Sequence, residues 1–597
     1  MRMEIAGAGR GYKLDEEQFK SDDTESRTLF TRRQTLPALA LAMGTGLLQA
    51  RAEGASRKNE PDRRAADRGA LIYNVRDFGA KGDGSTLDTA ALQAAVDTCV
   101  ADGGGIVLIP AGTFLTGSFE LKSNVTLRLV AGAKLLGSGR GADYHAVDAI
   151  PLSGDSTLED GNWALIFAVG AKNIAIEGPG TIDGQGAQFH SPTRGVPPPS
   201  GLGGNRRPYH VLLYRCESIH IRDIDLLDSA YHSVRIIQCN RVYLNGIYVH
   251  NRVNGNNDGF HFISSEFVSI SNCTIKSLDD ACALFGSCRN VTVANCFFST
   301  RWSVFRFGGG TAENIAVSNC VLHQVYGCPI KFHGVPGSRF ENMSFANLVL
   351  DDVTGPIHIS IGPRTPHPAN GGPTPVDALP VTENLPPAIV RNISFSNIHG
   401  TVTTDPQQVE ETTLTSRFNP GEKHSSIVLN AVGGAVLERI SFENIHLVFG
   451  GGGTAEDAAR RDLPAIAGEY FTLGPIPSYA LYARNARALT LNNLRFETKE
   501  ADLRPAIVLD NIEDVSIAGL SVAVDSRVES ALRFIETRQA LLTSPRLLST
   551  TNVFLQAEGP NCAEIRVDGG DVRRATNLFA FRDGATQNAV ESNHALS

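Results

Sequence analysis

Through most of the chain, polar and apolar residues alternate over short stretches that break at Asn, Asp or Gly. Asn290-Val291-Thr292-Val293-Ala294-Asn295, Asn314-Ile315-Ala316-Val317-Ser318-Asn319, Asn342-Met343-Ser344-Phe345-Ala346-Asn347 and Asn392-Ile393-Ser394-Phe395-Ser396-Asn397 repeat one pattern. Alternation sends successive side chains to opposite faces, so it predicts half-buried strands and not helices. With the first apolar residue of each stretch as its anchor, the anchors are Ile174, Ile219, Val242, Val268, Val291, Ile315, Met343, Ile393, Ile440, Leu489 and Val515. Successive gaps are 45, 23, 26, 23, 24, 28, 50, 47, 49 and 26 residues. The long gaps are about twice the short ones, which predicts a further unit hidden in each.

A strand unit of this length cannot bury its inner face alone, whereas stacked copies can. Several short strands per turn with no helical period between them predict an all-β fold, a parallel β-helix. Asn272, Asn295, Asn319, Asn347, Asn397, Asn444 and Asn493 each stand four residues after an anchor. Asn tolerates left-handed backbone, and its amide can bond the Asn of the next coil, so these predict an internal asparagine ladder at one bend. Cys216, Cys239 and Cys288 precede anchors by three, and Cys273, Cys296 and Cys320 follow them by five. Thiols at equivalent points of stacked coils predict small buried fillers.

The open end of a coiled sheet needs a cover. Residues 87–101 carry Leu92, Ala95, Val96, Cys99 and Val100 on one helical face, and Gly103-Gly104-Gly105 ends them, so a capping helix is expected at the N-terminal end. One β-helix domain is expected over residues 71–590, with alternation persisting past residue 500. Residues 362–387 are Pro-rich, and 450–464 open on four glycines; both are expected to be surface loops. Upstream, Arg32-Arg33, a short apolar stretch from Leu36 to Ala50 and the Ala50-Arg51-Ala52 spacing resemble a twin-arginine signal over residues 1–52, with a charged linker over 53–70. The expected product is periplasmic or extracellular and off the membrane after signal removal. Lys+Arg is 54 and Asp+Glu is 63, a net charge of −9, which argues against nucleic acid as a partner.

The chemistry stands where charge interrupts the repeat. Asp258, Asp279-Asp280, Arg306 and Lys331 follow one another at gaps of 22, 26 and 25 residues, counted from Asp280 to Arg306, and His232 lies 26 before Asp258. Each gap is about one coil, so three acids and two cations are expected along one side within about 15 Å, three coil spacings. Singly, each is an ordinary turn or surface residue; their recurrence on consecutive coils points to function. Paired carboxylates suit acid/base cleavage of a glycosidic bond, and crowding favours one retained proton. Arg306 and Lys331 suit an anionic sugar, and Trp302 and Tyr326 could stack on sugar faces or simply cover the groove. No cofactor or metal is expected.

These residues resemble glycoside hydrolase family 28, the polygalacturonase-like, pectin-active right-handed parallel β-helices. The similarity runs over about residues 71–450: Tyr73-Asn74-Val75, Gly79-Ala80-Lys81-Gly82-Asp83-Gly84, Gly180-Thr181-Ile182-Asp183-Gly184-Gln185-Gly186, Asn256-Asn257-Asp258-Gly259, Leu278-Asp279-Asp280-Ala281 and Pro329-Ile330-Lys331. The resemblance implies an inverting hydrolase with Asp279 as general acid, Asp258 and Asp280 holding and activating water, and Lys331 and Asn256 on substrate. The chain departs from the family pattern at Arg301-Trp302-Ser303, where Gly-His-Gly is expected, at Pro329, where an Arg is expected, and at His261, where an acid is frequent. Two other readings use the same residues. In a polysaccharide lyase the acids would hold Ca²⁺ and Arg306 or Lys331 would be the base. A non-catalytic saccharide-binding solenoid would have no need of crowded acids.

Overall fold

The computed structural model describes residues 71–150, 162–189, 204, 206–363, 368–369, 372–373, 385–412, 414, 422–468 and 470–593. The leader and linker expected over residues 1–70, and most of 362–387, lie outside the described residues. Among the described residues, forty strands join one sheet that winds as a right-handed parallel β-helix. Ile174, Ile219, Val242, Val268, Val291, Ile315, Met343, Ile393 and Ile440 are Cα partners in series, each on the next coil. Leu489, Val515, Ala540, Ile565 and Val590 continue the stack.

This pairing corrects the expectation of hidden units. Ile174 pairs directly with Ile219, Met343 with Ile393, and Ile393 with Ile440. Each long gap is therefore a single coil carrying one excursion, because inserted residues lengthen a turn without adding a rung. Residues 450–464 are also more than a surface loop. Thr454 and Asp457 form a reciprocal capping box for the helix Ala455–Ala459. Ala458 and Leu463 are buried, and Leu463 packs with Val428, Tyr482 and Val508 on the outer wall of the coil.

Two columns of left-handed residues turn each coil. One stands immediately before the anchor: Asn173, Ser218, Arg241, Phe267, Asn290, Asn314, Asn342, Asn392, Arg439, Ala488 and Asp514 have φ between 51 and 59°. The other holds the seven expected asparagines, with φ between 50 and 57°. A single left-handed residue bends the strand, and Asn accepts that conformation at small cost. Asn347 Nδ2 donates to Asn319 Oδ1 at 3.0 Å, Asn397 to Asn347 at 2.9 Å, Asn444 to Asn397 at 2.7 Å and Asn493 to Asn444 at 3.0 Å. The ladder is external, not internal: all seven asparagines are exposed. Period-2 counting from the anchor puts them inside, but the left-handed residue breaks the alternation and reverses the side.

The interior is filled by the anchors, their i+2 partners and the cysteines, all ten of which are buried. Phe345, Phe395 and Phe442 stack at 5.3 and 4.9 Å. The capping helix α1 (Thr89–Ala101) buries Leu92, Ala95, Val96 and Cys99 against the strands Ile72–Asn74 and Gly105–Ile109, while Val100 stays partly exposed.

Candidate active site

One face of the coil carries six successive strands: β1 (Val234–Ile237), β2 (Phe260–Ile263), β3 (Cys282–Phe285), β4 (Phe305–Gly308), β5 (Ile330–Gly334) and β6 (Ile357–Ile361). Ile236, Phe262, Leu284, Phe307, Phe332 and Ile359 form one rung column, with Phe307 and Phe332 stacked in the core at 4.4 Å. The neighbouring column on the opposite, outer side is Arg235, His261, Ala283, Arg306, Lys331 and His358. Chemistry therefore sits on the outside of a wall made rigid by its apolar inside.

The acids enter from the turns before these strands. Ser233 N–H donates to the Asp258 carbonyl at 3.0 Å, Gly259 N–H to the Asp280 carbonyl at 2.9 Å, and Ala281 N–H to the Ser303 carbonyl at 2.8 Å. His232, Asp258, Asp280 and Ser303 thus occupy equivalent points on four coils. This corrects the single charged column expected from spacing. Arg306 pairs with Ala283, three residues beyond Asp280, and Lys331 pairs with Arg306. The 26-residue gap from Asp280 to Arg306 is one 23-residue coil plus three residues of strand. Two parallel columns result, acids in the turns and cations in the strands, with the small Ala283 opposite Asp280.

Asn257 fixes the turn that presents Asp258. Its Nδ2 donates to the carbonyls of Ser229 and Tyr231, both at 2.9 Å, and its Oδ1 accepts from the N–H groups of Val253 and Asn254. Its carbonyl accepts from Leu278 and Asp279 N–H at 3.2 Å, tying one acid turn to the next. Gly259 is required by close approach, since a Cβ there would lie 2.5 Å from the Ala281 carbonyl oxygen and 2.6 Å from Ile275 Cγ2. Asn256, left-handed at φ 52°, accepts from Arg207 Nη2 at 3.3 Å.

Asp279 keeps a partly exposed edge, whereas Asp258 and Asp280 are buried. Burial first, then the Asp280 charge, pushes the Asp279 carboxyl up to about 6, against opposition from Lys331 and Arg306. Burial and the two neighbouring acids raise Asp258 as well, and Arg235 and Arg207 oppose that rise. Asp280 N–H donates to Asp279 Oδ1 at 2.9 Å, and Asp280 Oδ1 has no hydrogen-bond partner among the described residues.

The other candidates are placed unequally. Trp302 is half-buried, and Lys331 Nζ sits 4.3 Å from its ring centroid, a cation–π contact. Lys331 itself has no exposed surface, so its charge reaches the acids through space. Arg306 is 8% exposed. Tyr326 is fully buried with its hydroxyl donating to Asp352, which corrects its expected role as a sugar platform. Arg301 donates to the Tyr326 carbonyl at 2.6 Å and pairs with Glu422 at 3.2 Å. Glu422 belongs to the excursion between Val402 and Ile427, which folds back along earlier coils: Arg252 donates to the Glu410 carbonyl at 2.6 Å, and Lys276 pairs with Glu411 at 2.8 Å.

Spacing from single residues missed Arg207 and Arg235. A signal was available: Arg235, His261, Arg306 and Lys331 each stand three residues after a turn position of equivalent register, namely His232, Asp258, Ser303 and Cys328. His261 Nδ1 lies 2.8 Å from Asp258 Oδ2, and His232 Nε2 lies 3.5 Å from Asp258 Oδ1.

The sequence profile described as glycosyl hydrolases family 28 matches residues 105–420, over half of the chain and all of this site. The chain belongs to that family. It is 27% identical over 345 residues to the exo-poly-alpha-D-galacturonosidase of Dickeya chrysanthemi, covering 47% of this chain and 56% of the relative. It is 34% identical over 215 residues to a probable polygalacturonase of Vitis vinifera, covering 35% and 43%. The chain spans about half the length of the curated relatives it matches. In fold it is similar to the family 28 exopolygalacturonase of Yersinia enterocolitica, with TM-score 0.52, 22% identity and coverage of 75% and 78%. The exopolygalacturonase of Thermotoga maritima gives TM-score 0.52 at 17% identity, covering 74% and 93%.

Proposed function

We propose that this family 28 chain is an inverting hydrolase that releases uronic-acid units from the ends of pectin-like chains. The observation that carries the reading is the juxtaposition of three aspartates in the turns with two cations on the adjoining strands. Asp279, raised to about 6, holds a proton in mildly acid solution and gives it to the leaving glycosidic oxygen. Asp280, whose buried Oδ1 has no partner among the described residues, and Asp258 accept the proton of the attacking water. Arg306, Lys331 and Arg207 supply the positive field that an anionic sugar needs. Trp302 offers its partly exposed ring to a sugar face.

Attack at chain ends is supported by the excursion that folds back beside the acid-bearing coils, where Glu410, Glu411 and Glu422 meet Arg252, Lys276 and Arg301. The names of the Dickeya chrysanthemi relative and of the two solved exopolygalacturonases lend the same support. Incubation with a panel of galacturonic and mixed uronic oligosaccharides tests the reading, with products followed by NMR. The expected result is release of single terminal sugars with the anomeric configuration inverted. Unsaturated, ultraviolet-absorbing ends, or retention of configuration, would overturn it.

Export is proposed on the sequence of residues 1–52. Changing Arg32 and Arg33 together to Lys is expected to leave the product in the cytoplasm of a bacterial host, read by fractionation; unchanged export would refute the twin-arginine assignment.

A further inference from the structure

Arg235 is wholly buried one coil from His261 and has one side-chain hydrogen-bond partner among the described residues. Its Nη1 lies 3.1 Å from His232 Nδ1, while its Nε and Nη2 have no partner among the described residues. A guanidinium only donates. His232 Nδ1 must therefore accept, and in a neutral imidazole the proton then stands on Nε2. That nitrogen is 3.5 Å from Asp258 Oδ1. The ring is fixed in place, stacked at 4.2 Å on Tyr231 and at 4.6 Å and 4° on His261, with Tyr209 edge-on at 5.5 Å. His261 approaches the other carboxyl oxygen of Asp258 through Nδ1 at 2.8 Å.

We propose that Arg235 and His232 are positioning residues: Arg235 locks His232 in the Nε2–H tautomer, and that N–H holds the Asp258 carboxyl in the orientation that receives the proton of the attacking water. The inference rests on the assignment of Asp258 to the water side of the reaction. Burial and the Arg235 and Arg207 charges hold His232 well below its usual pKa, which keeps the ring neutral, as the tautomer argument requires. Contacts to a catalytic carboxyl are often long before substrate binds and tighten afterwards, which suits the 3.5 Å separation.

The same geometry decides against a rival use of these atoms. His232, Asp258 and His261 bring one ligand atom each within 4.8 Å of one another, a spacing a divalent cation could use. Ligation through His232 Nε2 needs the lone pair there and the proton on Nδ1, pressed against the all-donor guanidinium of Arg235. Arg235 thus selects against the ion and for the hydrogen bond. The groups facing Asp258 are Asp279, Asp280, His232, His261, Arg235 and Arg207. The acids make it harder to ionise, and the arginines make it easier. Loss of Arg235 therefore moves the acid limb of kcat/KM to higher pH.

The test uses the full chain. NMR of isotope-labelled imidazole nitrogens in Asp279→Asn protein reads the His232 tautomer without needing turnover. A proton on Nε2 is expected, and adding Arg235→Met is expected to bring His232 into exchange between tautomers. In the active enzyme, Arg235→Met is expected to lower kcat by about 100-fold with little change in KM. It is also expected to move the acid limb to higher pH, because the Arg235 charge that eases Asp258 ionisation is gone. His232→Gln, which keeps an N–H near the Nε2 position, is expected to retain more activity than His232→Leu. A proton on Nδ1 in the Asp279→Asn protein, a wild-type acid limb in Arg235→Met, or saturable Zn²⁺ binding at both histidines would each overturn the proposal. Should Arg235→Met not fold, Arg235→Lys and the two His232 variants carry the same test. Wild type silent on every uronide would sink the hydrolytic reading while leaving the tautomer measurable.

Discussion

Asp279→Asn should abolish turnover and at the same time make the protein more stable above pH 6. The side chain keeps its shape, and its Oδ1 still accepts from Asp280 N–H. What disappears is a carboxyl pushed up to about 6 in the native state from its ordinary 3.8. Below 3.8 the group is protonated in both states and costs nothing. Between 3.8 and about 6 the unfolded chain ionises first, so native stability falls as pH rises. Above 6 the full cost is in place. The difference of about 2.2 pH units corresponds to about 3 kcal/mol, an upper value because Asp279 keeps an exposed edge. With an unfolding entropy on the order of 1 kcal/mol/K for a chain of this size, that is about 3 °C in Tm. The assay is thermal unfolding of wild type and variant side by side from pH 3.5 to 8. The difference should open between pH 4 and 6 and stay level above. A difference that ignores pH, or a variant less stable at pH 7, would refute the claim that crowding of Asp279 is stored in the native state.

Other outcomes follow from the same map. Asp280→Asn removes the charge that raises Asp279, so the alkaline limb of kcat should move below pH 6 while kcat itself falls by about 100-fold or more; an unmoved limb would dissociate the two acids. Lys331→Met removes a cation that lowers Asp279, so the alkaline limb should move upward and KM for uronides should rise, measured by initial rates across pH. Gly259→Ala forces a Cβ to within 2.5 Å of the Ala281 carbonyl oxygen, and should cost about 1–3 kcal/mol in stability together with most activity as the Asp258 turn shifts, read by denaturant melts and rates.

Much of this molecule can be read from local pattern. Alternation at Val291, Ile315, Met343 and their counterparts marks strands because the pleat has period two wherever a strand lies. The face of α1 follows from the spacing of Leu92, Ala95, Val96 and Cys99. The three aspartates stand out as charges interrupting a repeat. Each of these is a property of a few neighbouring residues, and so the linear order carries it.

What the linear order could not carry is whatever depends on how coils lie on one another. Equal gaps suggested that Arg306 stacks on Asp280, yet turn and strand residues contribute to a gap alike, and only the pairing of Arg306 with Ala283 separates them. Counting by twos placed the asparagines inside, and the left-handed residues turned them out. The contact of Arg235 with His232, and of both histidines with one aspartate, is a matter of a few ångströms across adjacent rungs. Coulombic and hydrogen-bond energies fall off over that range, so the protonation states on which the chemistry turns belong to the folded molecule alone.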